Sequence, residues 1–201
     1  MLVLVRHGET QANAAGLLLG RSQSPLTERG VAQARALGAV VGLPARVVSS
    51  PLARALDTAA AWGLDQVIEV DERWVEVDYG EYEGRALADL GPDVWQAWRA
   101  DPDYRPPGGE TLSEVGRRVR HACHELFAVP GHGARAESDV VVVSHVSPIK
   151  AAVAWALGAN DTVTWRLQLS TASVTAIGWG HDAPVLHRYN VTVPGPGGRA
   201  R

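Results

Sequence analysis

Short apolar runs rich in valine alternate along this chain with longer stretches that have a helical period. Unbroken apolar runs followed by amphipathic helices are typical of buried parallel strands. The pattern therefore predicts an α/β fold in three layers, α/β/α, with a mostly parallel central sheet and an antiparallel edge strand. The predicted strands are Leu2–Val5, Arg46–Ser49, Gln66–Val70, Val140–Val143, Val174–Trp179 and Pro184–Arg188.

Start and stop signals place the predicted helices between these strands. Thr27 has the residue type of an N-cap, and the helix that follows it runs to about Val41. Pro51 suits the first position of the next helix, so Arg54 falls in the N-terminal turn of that helix. The other predicted helices are one that begins at the capping box 111–114 and one over Pro148–Leu157.

The segment 74–109, called the lid below, has a weak period and is interrupted by glycine and proline. Its two short helical stretches are Arg85–Leu90 and Asp93–Arg99. Long irregular connections in compact domains are often functional, so we expect the lid to cover the strand ends and to influence specificity. The sequence as a whole predicts a single domain over 1–191, which includes the lid, and a disordered tail over 192–201.

Length, charge and cysteine content narrow the class of protein. The 201 residues, 46% of them hydrophobic, suffice for one globular domain with a full core. The formal net charge of −3 gives no general attraction to nucleic acid or to an acidic membrane. The single cysteine, Cys123, excludes an internal disulfide and fits a reducing cytoplasm. No signal-peptide pattern or membrane-length apolar run is present, so we expect a cytoplasmic protein. A homodimer is compatible with the sequence.

Cationic side chains follow three of the predicted strands. Arg6 and His7 come directly after the first strand, Arg54 follows the second, and His145 follows the strand at 140–143. Ligands of open α/β sheets bind outside the carboxyl ends of the strands. We therefore expect these four side chains to meet at one edge of the sheet and to bind an anion, for which phosphate is the best fit.

Five sequence blocks extend the phosphate hypothesis. They are Arg6-His7-Gly8-Glu9-Thr10 with Asn13, Ser50-Pro51-Leu52-x-Arg54, Glu76-x-Asp78-x-Gly80, Pro107-Gly108-Gly109-Glu110, and Ser144-His145. With these blocks in this order, the chain resembles the histidine phosphatase superfamily, also called phosphoglycerate mutase-like. The resemblance implies a small phosphate monoester as the substrate and neither a metal nor a cofactor.

The resemblance also implies that His7 and Glu76 carry the reaction. His7 would attack phosphorus in line and form a phosphohistidine, for which its ring must be unprotonated. Glu76 would protonate the leaving alkoxide and then take a proton from the water that hydrolyses the phosphohistidine. Asp78, Glu81 and Glu83 lie close by in sequence, so a solvated acidic loop is the alternative for this region.

Three cationic side chains would neutralise the phosphoryl oxygens in the same scheme. They are Arg6, Arg54 and His145, the last as an imidazolium. Asn13 would add a neutral donor. The scheme needs Glu76 protonated, His145 charged and His7 neutral, so we expect activity on the acid side of neutrality.

Two other interpretations compete with this scheme. His121, Cys123 and His124 have the spacing of metal ligands on a helix, although core packing explains the same stretch. A non-catalytic phosphate-binding module is compatible with the fold, but such a module would be expected to lack the nucleophile or the acid. This sequence keeps both His7 and Glu76.

Phosphatases and cofactor-dependent phosphoglycerate mutases of this family use the same catalytic set. The mutases have a longer insertion after the acid, with a lysine and a paired arginine for the substrate carboxylate. Here only residues 77–106 separate Glu76 from Pro107, and they contain no lysine. We therefore favour a metal-independent phosphomonoesterase. Sugar phosphates, phosphoglycerate derivatives, ribazole phosphate and nucleotide-pathway monophosphates stay open as substrates.

Overall fold

One six-stranded sheet forms the centre of the computed structural model, which describes residues 1–127, 139–180 and 182–192. The strands are β1 (Leu2–Arg6), β2 (Arg46–Ser49), β3 (Ile68–Val70), β4 (Val140–Ser144), β5 (Ser173–Trp179) and β6 (Pro184–Thr192). Their order across the sheet is β3-β2-β4-β1-β5-β6. The first four are parallel, whereas β5 is antiparallel to β1 and β6 is antiparallel to β5. The predicted mostly parallel sheet with an antiparallel edge is confirmed.

Helices cover both faces of this sheet. They are α1 (Gln11–Ala14), α2 (Glu28–Val41), α3 (Ala53–Ala60), α4 (Pro92–Ala100), α5 (Leu112–Phe127) and α6 (Val146–Ala156). Successive side chains of a strand point to opposite faces, and β4 shows the result. Val141 and Val143 pack with residues of α2 and α3, whereas Val142 packs with residues of α5 and α6. The predicted three-layer architecture is therefore confirmed.

Several element ends differ from the sequence-based prediction. α3 begins at Ala53 rather than at Pro51, because Leu52 is still extended and occupies the N-cap position. α6 begins at Val146, two residues before Pro148, and the extended His145 occupies its N-cap position. The apolar period gives no signal for α1, a single turn held by a capping box between its N-cap and its third residue. Two strands also differ, since β3 begins only at Ile68 and β6 continues to Thr192.

The lid is packed against the body of the molecule. Trp98 of the lid is only 1% exposed and lies in an apolar cluster with Leu18 and Leu112. The backbone of 85–87 is hydrogen-bonded to the loop 16–18. The predicted helix over Arg85–Leu90 is wrong for this reason, and only a 3₁₀ turn at Leu87–Asp89 forms there.

The predicted disordered tail falls almost wholly outside the described residues. Its first residue, Thr192, is the last residue of β6, and 193–201 are not described. Among the helices that the structure describes, none combines the length and the apolar character needed to cross a lipid bilayer.

Candidate active site

The carboxyl ends of β1, β2 and β4 meet at one edge of the sheet. Arg6 is in register with Ser144, and Ser49 is in register with Val143. The residues that follow these strands are therefore neighbours, and the ring centroids of His7 and His145 lie 5.1 Å apart. The structure thus brings together side chains that the sequence separates by more than half of its length.

His7 is held in the form that a nucleophile needs. Its Nδ1 lies 2.7 Å from the carbonyl oxygen of Gly8, and a carbonyl only accepts, so Nδ1 carries a proton and the neutral ring has its lone pair on Nε2. The side chain is only 3% exposed. Burial, followed by the charges of Arg6 and Arg54, holds the pKa of His7 well below its ordinary value. This lowered pKa favours the neutral imidazole that nucleophilic attack requires.

Close backbone packing fixes the loop that carries His7. A Cβ atom on Gly8 would overlap the carbonyl oxygen of Gly30 in the first turns of α2. The Gly8 backbone N–H donates to Thr58 Oγ1 at 3.1 Å, which ties the loop to α3. Glycine is required here because the main chain of α2 occupies the place of a side chain.

The two arginines of the site have different surroundings. Arg6 lines the open cleft and donates from Nη1 to the carbonyl of Leu169 at 2.6 Å. Arg54 is 1% exposed and donates from Nη1 to the carbonyl of Ser22 at 3.0 Å and from Nη2 to that of Gly20. Burial lowers the pKa of both arginines from its ordinary value, but a guanidinium stays protonated. Both therefore supply fixed positive charge.

His145 differs from the prediction in its protonation. Its Nδ1 accepts a hydrogen bond from Arg54 Nε at 3.2 Å, and its Nε2 lies 2.7 Å from Ser50 Oγ. An imidazolium has no nitrogen that can accept, so the ring is neutral with the proton on Nε2. Complete burial and the nearby His7 and Arg54 also hold the pKa of His145 well below its ordinary value. The expectation of a charged His145 is wrong for this state of the protein.

Glu76 is both a residue of the cleft and a cap on α6. Its Oε1 accepts from the backbone N–H groups of Val77 at 2.9 Å and Ser147 at 3.0 Å, and its Oε2 accepts from that of Val146 at 3.0 Å. The side chain is 3% exposed. The alternative of a solvated acidic loop is therefore wrong for this residue.

The other acidic residues of the lid are partly engaged as well. Glu83 Oε1 accepts from the backbone N–H groups of Gly20 at 2.8 Å and Ser22 at 3.1 Å. The carbonyls of the same two residues hold Arg54, so a lid carboxylate supports the loop that positions a buried guanidinium. Of the three acidic residues that follow Glu76 most closely, namely Asp78, Glu81 and Glu83, only Glu81 is exposed to solvent.

The cleft itself has a volume of about 510 Å³. It contains Arg6, His7, Glu76 and Asn13, the last of which also closes the capping box of α1 through Oδ1. Arg54 and His145 stand behind these groups, fully buried. The sequence-based prediction gave no role to several residues of the site. Ser50 is hydrogen-bonded to His145, and the cleft wall contains Tyr79, Lys150 and Thr171.

The sequence contains features that could have marked Tyr79 and Lys150 as residues of the site. Tyr79 lies inside the Glu76-x-Asp78-x-Gly80 block, and Lys150 is the only lysine of the chain, four residues after Val146 on the same helix. Ser50 opens the block Ser50-Pro51-Leu52-x-Arg54, whereas Thr171 is a common residue type that only the tertiary contacts distinguish.

The metal interpretation of α5 finds no support in the geometry. Cys123 is buried in the core, whereas His121 and His124 are exposed and bond to Glu125 and Trp155 respectively. Within residues 1–127, 139–180 and 182–192, no three histidine, cysteine or acidic side chains are placed to hold one ion.

Comparison with known proteins agrees with this geometry. The chain is 40% identical over 185 residues to a bifunctional protein of Mycobacterium tuberculosis, matching 87% of this chain but 49% of that protein. The chain thus spans about half the length of that relative. It is 36% identical over 195 residues to the glucosyl-3-phosphoglycerate phosphatase of the same species, covering 91% of this chain and 86% of that enzyme.

A solved structure shows the same fold. A phosphoserine phosphatase mutant from Entamoeba histolytica, in complex with phosphoserine, superposes with a TM-score of 0.85 at 26% identity. The match covers 94% of this chain and 95% of that one. The model of the histidine phosphatase superfamily (branch 1) matches residues 2–192. With its fold, its motif blocks and the clustering of His7, Arg6 and Glu76 in agreement, this chain belongs to the histidine phosphatase superfamily.

Proposed function

We propose that this chain is a phosphomonoesterase that hydrolyses esters of small metabolites through a phosphohistidine, without a metal ion. One observation carries the proposal: His7 has a free Nε2 lone pair in an open cleft that also contains Arg6 and Glu76. The glucosyl-3-phosphoglycerate phosphatase and the phosphoserine phosphatase described above support a phosphatase as the general class.

The proposed reaction has two displacements at phosphorus. In the first, His7 Nε2 bonds to phosphorus as the ester P–O bond breaks, and the leaving alkoxide takes a proton from the Glu76 carboxyl group. In the second, Glu76 accepts a proton from water while the water oxygen bonds to phosphorus and the N–P bond breaks. Arg6 and Arg54 supply positive charge for the phosphoryl oxygens in both steps. Asn13 Nδ2 is left as a donor, because its capping box uses Oδ1.

The lowered pKa of His7 supports activity on the acid side of neutrality. His7 resists protonation in mild acid because burial and two guanidinium groups oppose its charge and lower its pKa. His145 adds nothing to this expectation, since it is neutral. The support for acid-side activity therefore comes from the lowered pKa of His7.

The surroundings of the lid arginines favour a phosphatase over a mutase. Arg85 lies over the ring of Tyr82, Arg99 lies over the ring of Trp95, and Arg105 pairs with Glu114. None of the three lines the cleft that contains His7. The paired arginine that holds the substrate carboxylate in mutases has no counterpart among these residues.

Hydrolysis and phosphoenzyme formation test the proposal together. We expect the wild type to release phosphate from a panel of metabolite monophosphates and to form an acid-labile, alkali-stable phosphoenzyme. His7→Ala should abolish both, whereas His187→Asn on the exposed face of β6 should change neither. Phosphate release by His7→Ala at the wild-type rate would refute the phosphohistidine. Transfer between positions of 3-phosphoglycerate faster than release to water would favour the mutase. Binding of phosphate without turnover of any ester would favour the non-catalytic module.

A further inference from the structure

Lys150 occupies a position between two hollows of the molecule. It lies in the second turn of α6, on the same face as Val146. Both residues line the catalytic cleft, and both also line a smaller cavity of about 70 Å³ beside it. Tyr79 is shared in the same way. The smaller cavity, called the side cavity below, is thus a neighbour of the cleft with a common wall.

The ammonium group of Lys150 has no acceptor within the described residues. Burial lowers its pKa, and Glu76 attracts it through charge alone. Both oxygens of Glu76 are already engaged by backbone N–H groups. A half-buried ammonium without a hydrogen-bonded partner is costly, because it has lost part of its hydration and gained no acceptor in exchange.

The side cavity has largely apolar walls, and Lys150 is the charged residue among the side chains that line it. Its walls include Val77, Trp98 and Trp165. The indole N–H groups of both tryptophans have almost no accessible surface, so the cavity presents ring surface rather than these donors. A ligand group in the cleft that lies against the shared wall would meet the ammonium of Lys150. A compact anionic acceptor suits this ammonium, and a cation does not.

We propose that Lys150 and the side cavity form a subsite for a carboxylate on the alcohol part of the substrate. This subsite rests on the proposed function, since the phosphoryl group would lie at Arg6 and His7 in the same cleft. The substrate class is then a phosphate monoester of a hydroxy acid. The cation comes from α6 rather than from the lid, whose arginines are engaged elsewhere.

A matched pair of ligands isolates the carboxylate. 3-Phosphoglycerate has a carboxylate at the position where glycerol 3-phosphate has a hydroxymethyl group. We would measure the Kd of each by calorimetry in a His7→Ala background, so that the result does not depend on turnover. We expect 3-phosphoglycerate to bind more tightly, and Lys150→Met to reduce the ratio of the two affinities by about ten- to a hundredfold.

Two further variants complete the test. Lys150→Arg keeps the charge and should retain a clear preference for 3-phosphoglycerate. Arg35→Gln removes an exposed cation of α2 and should leave the ratio unchanged. An affinity ratio near one in the starting protein, or one that Lys150→Met leaves unchanged, would overturn the subsite. A failure of the proposed function would appear elsewhere, as an absence of phosphate release and phosphoenzyme in the wild type.

Discussion

Replacing Glu76 by glutamine should destabilise the fold as well as slow the reaction. The carboxylate offers acceptors on both oxygens, and three backbone N–H groups use them, two at the start of α6 and one at Val77. An amide has one acceptor oxygen and a donor in place of the other. In Glu76→Gln, at least one buried N–H group would therefore face an NH₂ group instead of an oxygen.

The size of the effect follows from these contacts. A buried donor that loses its acceptor costs about 1–3 kcal/mol. Loss of a negative charge at a helix N-terminus adds about 0.3–1 kcal/mol. Together these contributions lower the free energy of unfolding of Glu76→Gln by about 1.3–4 kcal/mol. For a chain of this size that corresponds to a decrease in Tm of roughly 3–16 °C.

Urea unfolding at pH 7, followed by the fluorescence of the buried tryptophans, would measure this loss. Glu81→Gln is the matched control, because it removes the same charge from an exposed side chain and should stay within about 0.5 kcal/mol of the wild type. Equal stabilities of the two variants would refute the capping role of Glu76.

The same variant separates structure from chemistry. If Glu76 protonates the leaving group, Glu76→Gln should slow the hydrolysis of an alkyl phosphate by about 10²–10⁴-fold. The loss should be much smaller for p-nitrophenyl phosphate, whose leaving group needs little protonation. Equal losses for both esters would contradict a role as general acid and leave only the structural one.

Three other predictions follow from the described contacts. Gly8→Ala should lower the free energy of unfolding by about 1–3 kcal/mol, because its Cβ would overlap the carbonyl of Gly30; wild-type stability in urea would contradict the close approach. His7 and His145 have lowered pKa values, so below about pH 6.5 the unfolded chain binds protons that the folded chain does not. Stability should therefore fall as the pH decreases from 6.5 to 5, by up to about 1.4 kcal/mol per pH unit for each histidine, and a flat profile in urea titrations would refute their neutrality. Glu83→Ala should reduce kcat/KM by about tenfold through a looser loop behind the cleft, with the pH profile unchanged; full activity would show that the loop holds its place without this carboxylate.

The sequence by itself determined the layers and the edge at which the site lies. Valine-rich runs predict buried parallel strands because such strands need apolar side chains on both faces, and residues that follow parallel strands must share one edge. That logic places Arg6, His7 and His145 together, as the structure does. Local signals were weaker where a tertiary contact competes, as at 85–90, where backbone pairing with a distant loop replaces the predicted helix.

Only the tertiary structure decided how the site is charged and supported. Arg54 lies 91 residues from His145 and makes that ring neutral, and Glu76 lies 70 residues from the backbone N–H that it caps at Val146. Lys150 gains a role only because its helix face borders two hollows. The period of apolar residues reports which face of an element is buried. It carries no information about which distant donor is hydrogen-bonded to which acceptor. Those long-range contacts determine the protonation of His145, the capping of α6 and the specificity of the cleft.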